Sequence, residues 1–227
     1  MSRVKRNRTL LKVKRYSQIS QECGIAAVSS VANFYNQDIE YHDVRQIVDP
    51  NSRSYGMYVP EQAILLNKLG YNKISIVTND LEIFDYGWNR YSNKSVLGRL
   101  KKIRQHFYRY RNKDYAGLVG CYMRWLSMEG CYNRIRTDHD FAKYIRRYLR
   151  NGRPVIVMLN WNAMYKCSKA KSNNVIGYAS SHSVVIRGYD SQDVFIADSD
   201  GYRSKNGYYK LNWSKFLPMV YELILVG

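Results

Sequence analysis

Cys23 opens the apolar stretch Gly24-Ile-Ala-Ala-Val-Ser-Ser-Val-Ala-Asn-Phe-Tyr35, and Gln18 lies just upstream. Ala26, Ala27, Val28, Val31, Ala32 and Tyr35 recur at helical spacing, small residues first, so the helix can sink deep into a core. Cys23 then falls at the helix N-terminus, where unpaired amides and the helix dipole stabilise an anion. A thiol there gives up its proton more easily and becomes a nucleophile. Gln18 is spaced to offer a side-chain N–H to an oxyanion forming on a bound carbonyl, with Gln21 as its rival. A cysteine on an apolar helix is ordinarily just a small buried hydrophobe, but two later stretches weigh against that reading. Ser181-His182-Ser-Val-Val-Ile-Arg-Gly-Tyr189 is a strand pattern opening with histidine, and Val194-Phe-Ile-Ala-Asp198 is a second strand ending in aspartate. A thiol, an imidazole and a carboxylate, each at the end of an element, are the parts of a Cys–His–Asp nucleophile system. Asp198 lies 16 residues after His182, which suits neighbouring antiparallel strands joined by a hairpin. Asp200 is a near alternative for the carboxylate, and His42 a lesser alternative for the base.

Taken in order, Gln-x4-Cys-Gly, His-Ser-Val-Val-Ile-Arg-Gly-Tyr-Asp and Val-Phe-Ile-Ala-Asp resemble the bacteriocin-processing C39 peptidases and their C39-like relatives, which are papain-fold cysteine peptidases. Tyr55-Gly-Met-Tyr-Val-Pro-Glu-Gln-Ala-Ile-Leu-Leu-Asn-Lys-Leu-Gly-Tyr71 is similar to the family's second helix and its exit through glycine into a strand. The resemblance covers about residues 13–80 and 150–200. It implies Cys23 as nucleophile, His182 as base, Asp198 as the group orienting the ring and Gln18 in the oxyanion hole. It also implies a peptide or protein substrate, cut after small residues such as Gly-Gly, and no cofactor. The family often has Asp before the cysteine and Pro after the last aspartate; this chain has Glu22 and Ser199. Members fused to transporters carry membrane spans and an ATPase, which are not read in this sequence, so bacteriocin export is not the expected role.

The elements that must position these residues follow from periodicity. Leu10, Leu11 and Val13 read as a short strand leading to the Cys23 helix, after a basic flexible arm over residues 1–9. Short helices are expected over Tyr41–Val48, broken by Asp49-Pro-Asn-Ser, and over Tyr58–Leu69, capped by Gly70. Strands are expected at Lys73–Val77, Pro154–Leu159, Val184–Tyr189, Val194–Ala197, Asn206–Leu211 and Val220–Val226, with helices at Asp138–Arg150 and Trp213–Leu217. Trp161–Tyr178 reads as a long polar loop beside a cleft. Helices first and antiparallel strands last is an α+β layout of the papain type, forming one domain over residues 10–227. Residues 85–140 lie outside the resemblance and read as a helical insertion, with Val96, Leu100, Ile103, Phe107 and Tyr110 on its apolar face.

Charge separates the remaining function classes. Against 18 acids the chain has 36 lysines and arginines, a net +18, and residues 86–150 alone carry +12 from 16 cations and four acids. Arg99, Lys101, Lys102, Arg104, Arg109 and Arg111 cluster on the polar face of the insertion, which predicts contact with a polyanion, either non-specific nucleic acid or an acidic protein. His106 and His139 read as exposed or packing residues. Cys23, Cys121, Cys131 and Cys167 are irregularly spaced, so neither a disulfide framework nor a zinc site is expected, and no metal. No apolar run reaches membrane-span length, and the basic N-terminus lacks the apolar core of a secretion signal. A free thiolate suits a reducing compartment: the cytoplasm, or a virion if the gene is phage-borne. Three functions fit: a C39-like peptidase, an acyl transferase or deamidase using the same thiol, and a structural or nucleic-acid-binding module that keeps the fold.

Overall fold

The computed structural model describes residues 8–48, 56–110, 112–165 and 180–227. Most of the expected basic arm, the Asp49–Ser52 break, Arg111, and the bulk of the expected polar loop with Cys167 lie outside the described residues. The strands are β1 (Thr9–Leu10), β2 (Ile74–Thr78), β3 (Arg134–Thr137), β4 (Val155–Asn160), β5 (Ser181–Tyr189), β6 (Asp193–Ala197), β7 (Tyr208–Asn212) and β8 (Val220–Val226). The helices are α1 (Cys23–Tyr35), α2 (Tyr41–Gln46), α3 (Val59–Lys68), α4 (Asn93–Arg109), α5 (Lys113–Leu126), α6 (Phe141–Arg150), α7 (Trp161–Tyr165) and α8 (Trp213–Phe216), with 3-10 turns at Tyr86–Arg90 and Leu217–Met219.

All eight strands join one sheet in the order β3-β2-β8-β4-β5-β6-β7, and β1 pairs with β5. Every pairing is antiparallel except β2 with β3. The central strands are apolar on both faces: Val155, Ile156, Val157, Met158 and Leu159 of β4 are all buried. Their alternation divides the core. Ile156 and Met158 pack with α1, α3, α4 and α5, whereas Val155, Val157 and Leu159 pack with α6 and α8 on the other face. The fold class is α+β, as the order of elements predicts, with helices covering both faces of the sheet. Among the described residues no helix is long and apolar enough to cross a membrane.

Three features differ from expectation. The 85–140 span is not helical throughout: it ends in β3, whose four residues Arg-Ile-Arg-Thr extend the sheet edge beside β2. A parallel pair needs a crossover connection, and α4 and α5 are that connection. Leu100, Val119, Tyr122 and Trp125 sink their apolar stripes into the main core. The expected loop after β4 starts instead as α7, whose Tyr165 is buried. At the N-terminus, Thr9 is already paired to Tyr189.

Candidate active site

The helix bearing the thiol starts at Cys23 itself. Glu22 holds the capping position but does not cap. Its carboxylate is drawn away by the Tyr41 hydroxyl at 2.5 Å and the Arg45 Nε at 3.2 Å. The first-turn amides of α1 therefore stay available to an anion at the helix end. Ser20, in the turn just ahead, has φ +54°, the left-handed region that a non-glycine residue adopts only when its surroundings hold it there. Gln18 braces that turn: its Nε2 donates to the Ser20 carbonyl at 3.0 Å, and its Oε1 accepts from the Ser199 hydroxyl at 2.8 Å. Gln21 is exposed.

His182 lies on β5 and Asp198 just after β6, the neighbouring strand. Both are buried, and His182 Nε2 is 2.7 Å from Asp198 Oδ1. The imidazole also stands near enough to the Cys23 thiol to favour its ionised form. With Nε2 on the carboxylate, Nδ1 is the ring nitrogen left for sulfur. Asp198 Oδ2 accepts from the hydroxyls of Tyr165 and Tyr209, each at 2.5 Å, and Oδ1 from the Asp200 N–H at 2.9 Å. Asp200 turns its own carboxylate to the Tyr202 N–H, so the carboxylate against the ring is Asp198. The Arg15 guanidinium holds the carbonyls of Asp198 and Ser199 at 2.6 and 2.9 Å. His42 is exposed on α2, paired with Asp43.

These contacts set the charges. Burial opposes ionisation of Cys23, but the hydrogen bond and charge of His182, with the N–H groups of Ser183 and Gly24, outweigh it and hold the thiol below its ordinary value. Burial works against the His182 cation too, yet Asp198 and then Cys23 push it up to about 10. Asp198 stays below the usual carboxylate range: burial would raise it, and His182, Tyr165 and Tyr209 prevail. Burial and the Asp198 charge push both tyrosines far up, so they remain donors. The arrangement can hold a thiolate–imidazolium pair in front of uncapped amides. Among the described residues, no group of three or more His, Cys, Asp or Glu is gathered as for a metal ion.

A buried polar pair behind the thiol had not been read from the sequence. Gln62 on α3 donates to Ser183 Oγ at 2.9 Å, and both side chains are buried. Ser183 is the residue whose N–H meets the thiol, and the Gln62 amide lies 3.1 Å from where a Cβ on Gly24 would stand. Gln62 thus packs on the residue after Cys23 and fixes the residue after His182. One signal was present: Gln62 falls at helical spacing between Val59 and Leu66, a polar residue inside an apolar stripe.

The basic residues expected on the insertion are divided. Lys101, Lys102, Arg99 and Arg109 are exposed on α4, and the Arg99 guanidinium stacks 4.3 Å over Tyr91. Arg104 is half-buried, packed at 3.2 Å from the Gly120 Cβ position and hydrogen-bonded to Tyr108.

Comparison with known proteins gives one family: residues 10–224 match the Peptidase_C39 like family. No curated protein matches the sequence. Among solved structures, a chain from Bacillus anthracis assigned as a C39-like peptidase is similar at 13% identity, with 97% of this chain and 98% of that one covered and a TM-score of 0.49. The peptidase domain of Streptococcus ComA, a bifunctional ABC transporter of a quorum-sensing pathway, is similar at 15% identity, with 94% and 98% covered and a TM-score of 0.47.

Proposed function

The chain belongs to the Peptidase_C39 like family, and from that membership we propose that it hydrolyses a peptide bond through Cys23, His182 and Asp198. The observation that carries this reading is the buried His182–Asp198 pair, Nε2 2.7 Å from Oδ1, with the imidazole favouring the Cys23 thiolate. The Cys23 thiolate attacks the scissile carbonyl carbon; a C–S bond forms and the carbonyl electrons move to oxygen. The backbone N–H of Cys23 and the second amide hydrogen of Gln18 receive that oxyanion, Gln18 being oriented by Ser20 and Ser199. Imidazolium His182 protonates the leaving amine as the C–N bond breaks, leaving a thioester. Water then attacks the thioester while His182 takes its proton, and the thiolate leaves. Asp198 keeps the ring oriented throughout and balances its charge.

The test is alkylation of Cys23 by iodoacetamide across pH, read by peptide mass. Labelling should have its midpoint well below the free-thiol value of about 8.5, because the depressed thiol ionises first. Turnover on a cleaved peptide should fall again as pH rises through about 10, where His182 loses the proton it must donate. His182→Ala should return the alkylation midpoint toward 8.5 and abolish turnover, and Asp198→Asn should weaken turnover by less. A Cys23 midpoint no lower than that of a free thiol would refute the assignment.

A second role attaches to α4. It contains no acid between Asn93 and Arg109, and Lys101, Lys102 and Arg109 are exposed. That face suits phosphate contacts without base reading, hence weak, non-specific binding of nucleic acid.

A further inference from the structure

A cavity of about 480 Å³ opens at the same end of the sheet as His182, between the starts of α3 and α5 and the ends of β2, β4 and β8. Clefts that hold small ligands or side chains run from about 300 to 1,000 Å³. Two of its wall residues tie it to the catalytic centre. Ser181 directly precedes His182 on β5, and the Met158 sulfur lies 3.8 Å from Ser183 Oγ, on the residue whose N–H meets the Cys23 thiol. Resting on the peptidase reading above, we propose that this cavity is the subsite for one cationic side chain, lysine or arginine, of the peptide substrate.

The lining carries the argument. Met158 and Tyr115 offer apolar surface, Asp80 and Glu222 contribute carboxylates, and among the described residues no lysine or arginine lines the cavity. That is a local inversion in a chain with 36 cations and 18 acids. Among the described residues, Asp80 and Glu222 form no ion pair. Asp80 accepts the Glu82 N–H, and Glu222 is held by the hydroxyls of Tyr122 and Thr78, all neutral donors. Burial pushes both carboxyls up, Glu222 to about 7, and a bound cation reverses that by stabilising the charged forms. A long side chain with an apolar stem and a charged tip matches walls of this kind. The general field of a +18 chain repels cations, so any preference for them must arise locally. The α5 wall comes from the crossover between β2 and β3, which gives that segment a part in choosing substrate.

The test needs no known substrate. Short peptides carrying an N-terminal chloroacetyl group alkylate Cys23, and a Lys, Arg, norleucine or Glu residue is placed at each of several distances from that group. At one distance, Lys and Arg should label Cys23 faster than norleucine by roughly tenfold or more, and the advantage should collapse in Asp80→Asn/Glu222→Gln. Asp80→Asn alone should give a smaller loss, which guards against misfolding of the double variant. Equal rates for Lys, Arg and norleucine, or a cation advantage that survives the double variant, would overturn the subsite and leave the peptidase reading standing. If plain chloroacetamide labels Cys23 no faster than Cys131, the peptidase reading fails and the subsite with it.

Discussion

Gly24 follows Cys23 for a steric reason. A Cβ there would stand 3.1 Å from the Gln62 amide, whose own position is fixed by its bond to Ser183. Gly24→Ala should therefore displace Gln62, loosen the Ser183 N–H on the thiol, and move the Cys23 alkylation midpoint upward. Overpacking of this kind costs about 1–3 kcal/mol, measurable as a lower denaturation midpoint. Adding Gln62→Ala to Gly24→Ala should recover part of the stability but not the alkylation midpoint. Cys23, His182 and Asp198 stand out in the sequence because each sits at the end of an element, where periodicity stops and a polar residue shows. Their supports do not. Tyr165 and Tyr209 are two of 22 tyrosines, and nothing local marks them as the pair that meets Asp198. Gln62 finds its partner 121 residues away, beyond the reach of pattern.

Among the elements, the α4–α5 crossover is held by burial rather than by charge. Leu100 and Val119 are fully buried between these helices and the sheet. Leu100→Ala should cost about 2–5 kcal/mol in chemical denaturation and leave the Cys23 alkylation midpoint where it is, since Leu100 touches none of the reacting groups. Apolar periodicity from Val96 to Tyr110 made α4 readable in advance, while α5 fell under the general expectation of a helical insertion. Strand β3 was hidden because only Ile135 and Thr137 of its four residues turn inward, and its partner strand lies far back in the chain. Strand β1 overlaps the short strand expected around Leu10 but reaches back to Thr9, because its bounds are defined by pairing with β5.

For the molecule as a whole, charge is distributed against the site. The carboxylate-lined cavity opens at the His182 end of the sheet, while α4 presents Lys101, Lys102 and Arg109 to solvent. Binding of a random-sequence DNA duplex should be detectable at low salt and fall steeply between roughly 50 and 200 mM. Lys101→Glu, Lys102→Glu and Arg109→Glu together should flatten that salt slope in a filter-binding titration. Arg104 is left in place because it packs on α5. Absence of binding at about 50 mM salt would favour an acidic protein as the partner of this face.

The position of β8 has a consequence for how the molecule comes into being. The halves β3-β2 and β4-β5-β6-β7 share no direct pairing, and β8 joins them. Until residues 220–226 have left the ribosome, β2 and β4 each present a bare edge, and the core shared by α1 and α3 has no continuous floor. The nascent chain thus holds α1 and β2 long before it holds a complete sheet, and joining the two halves waits on contacts of high sequence separation, which form slowly.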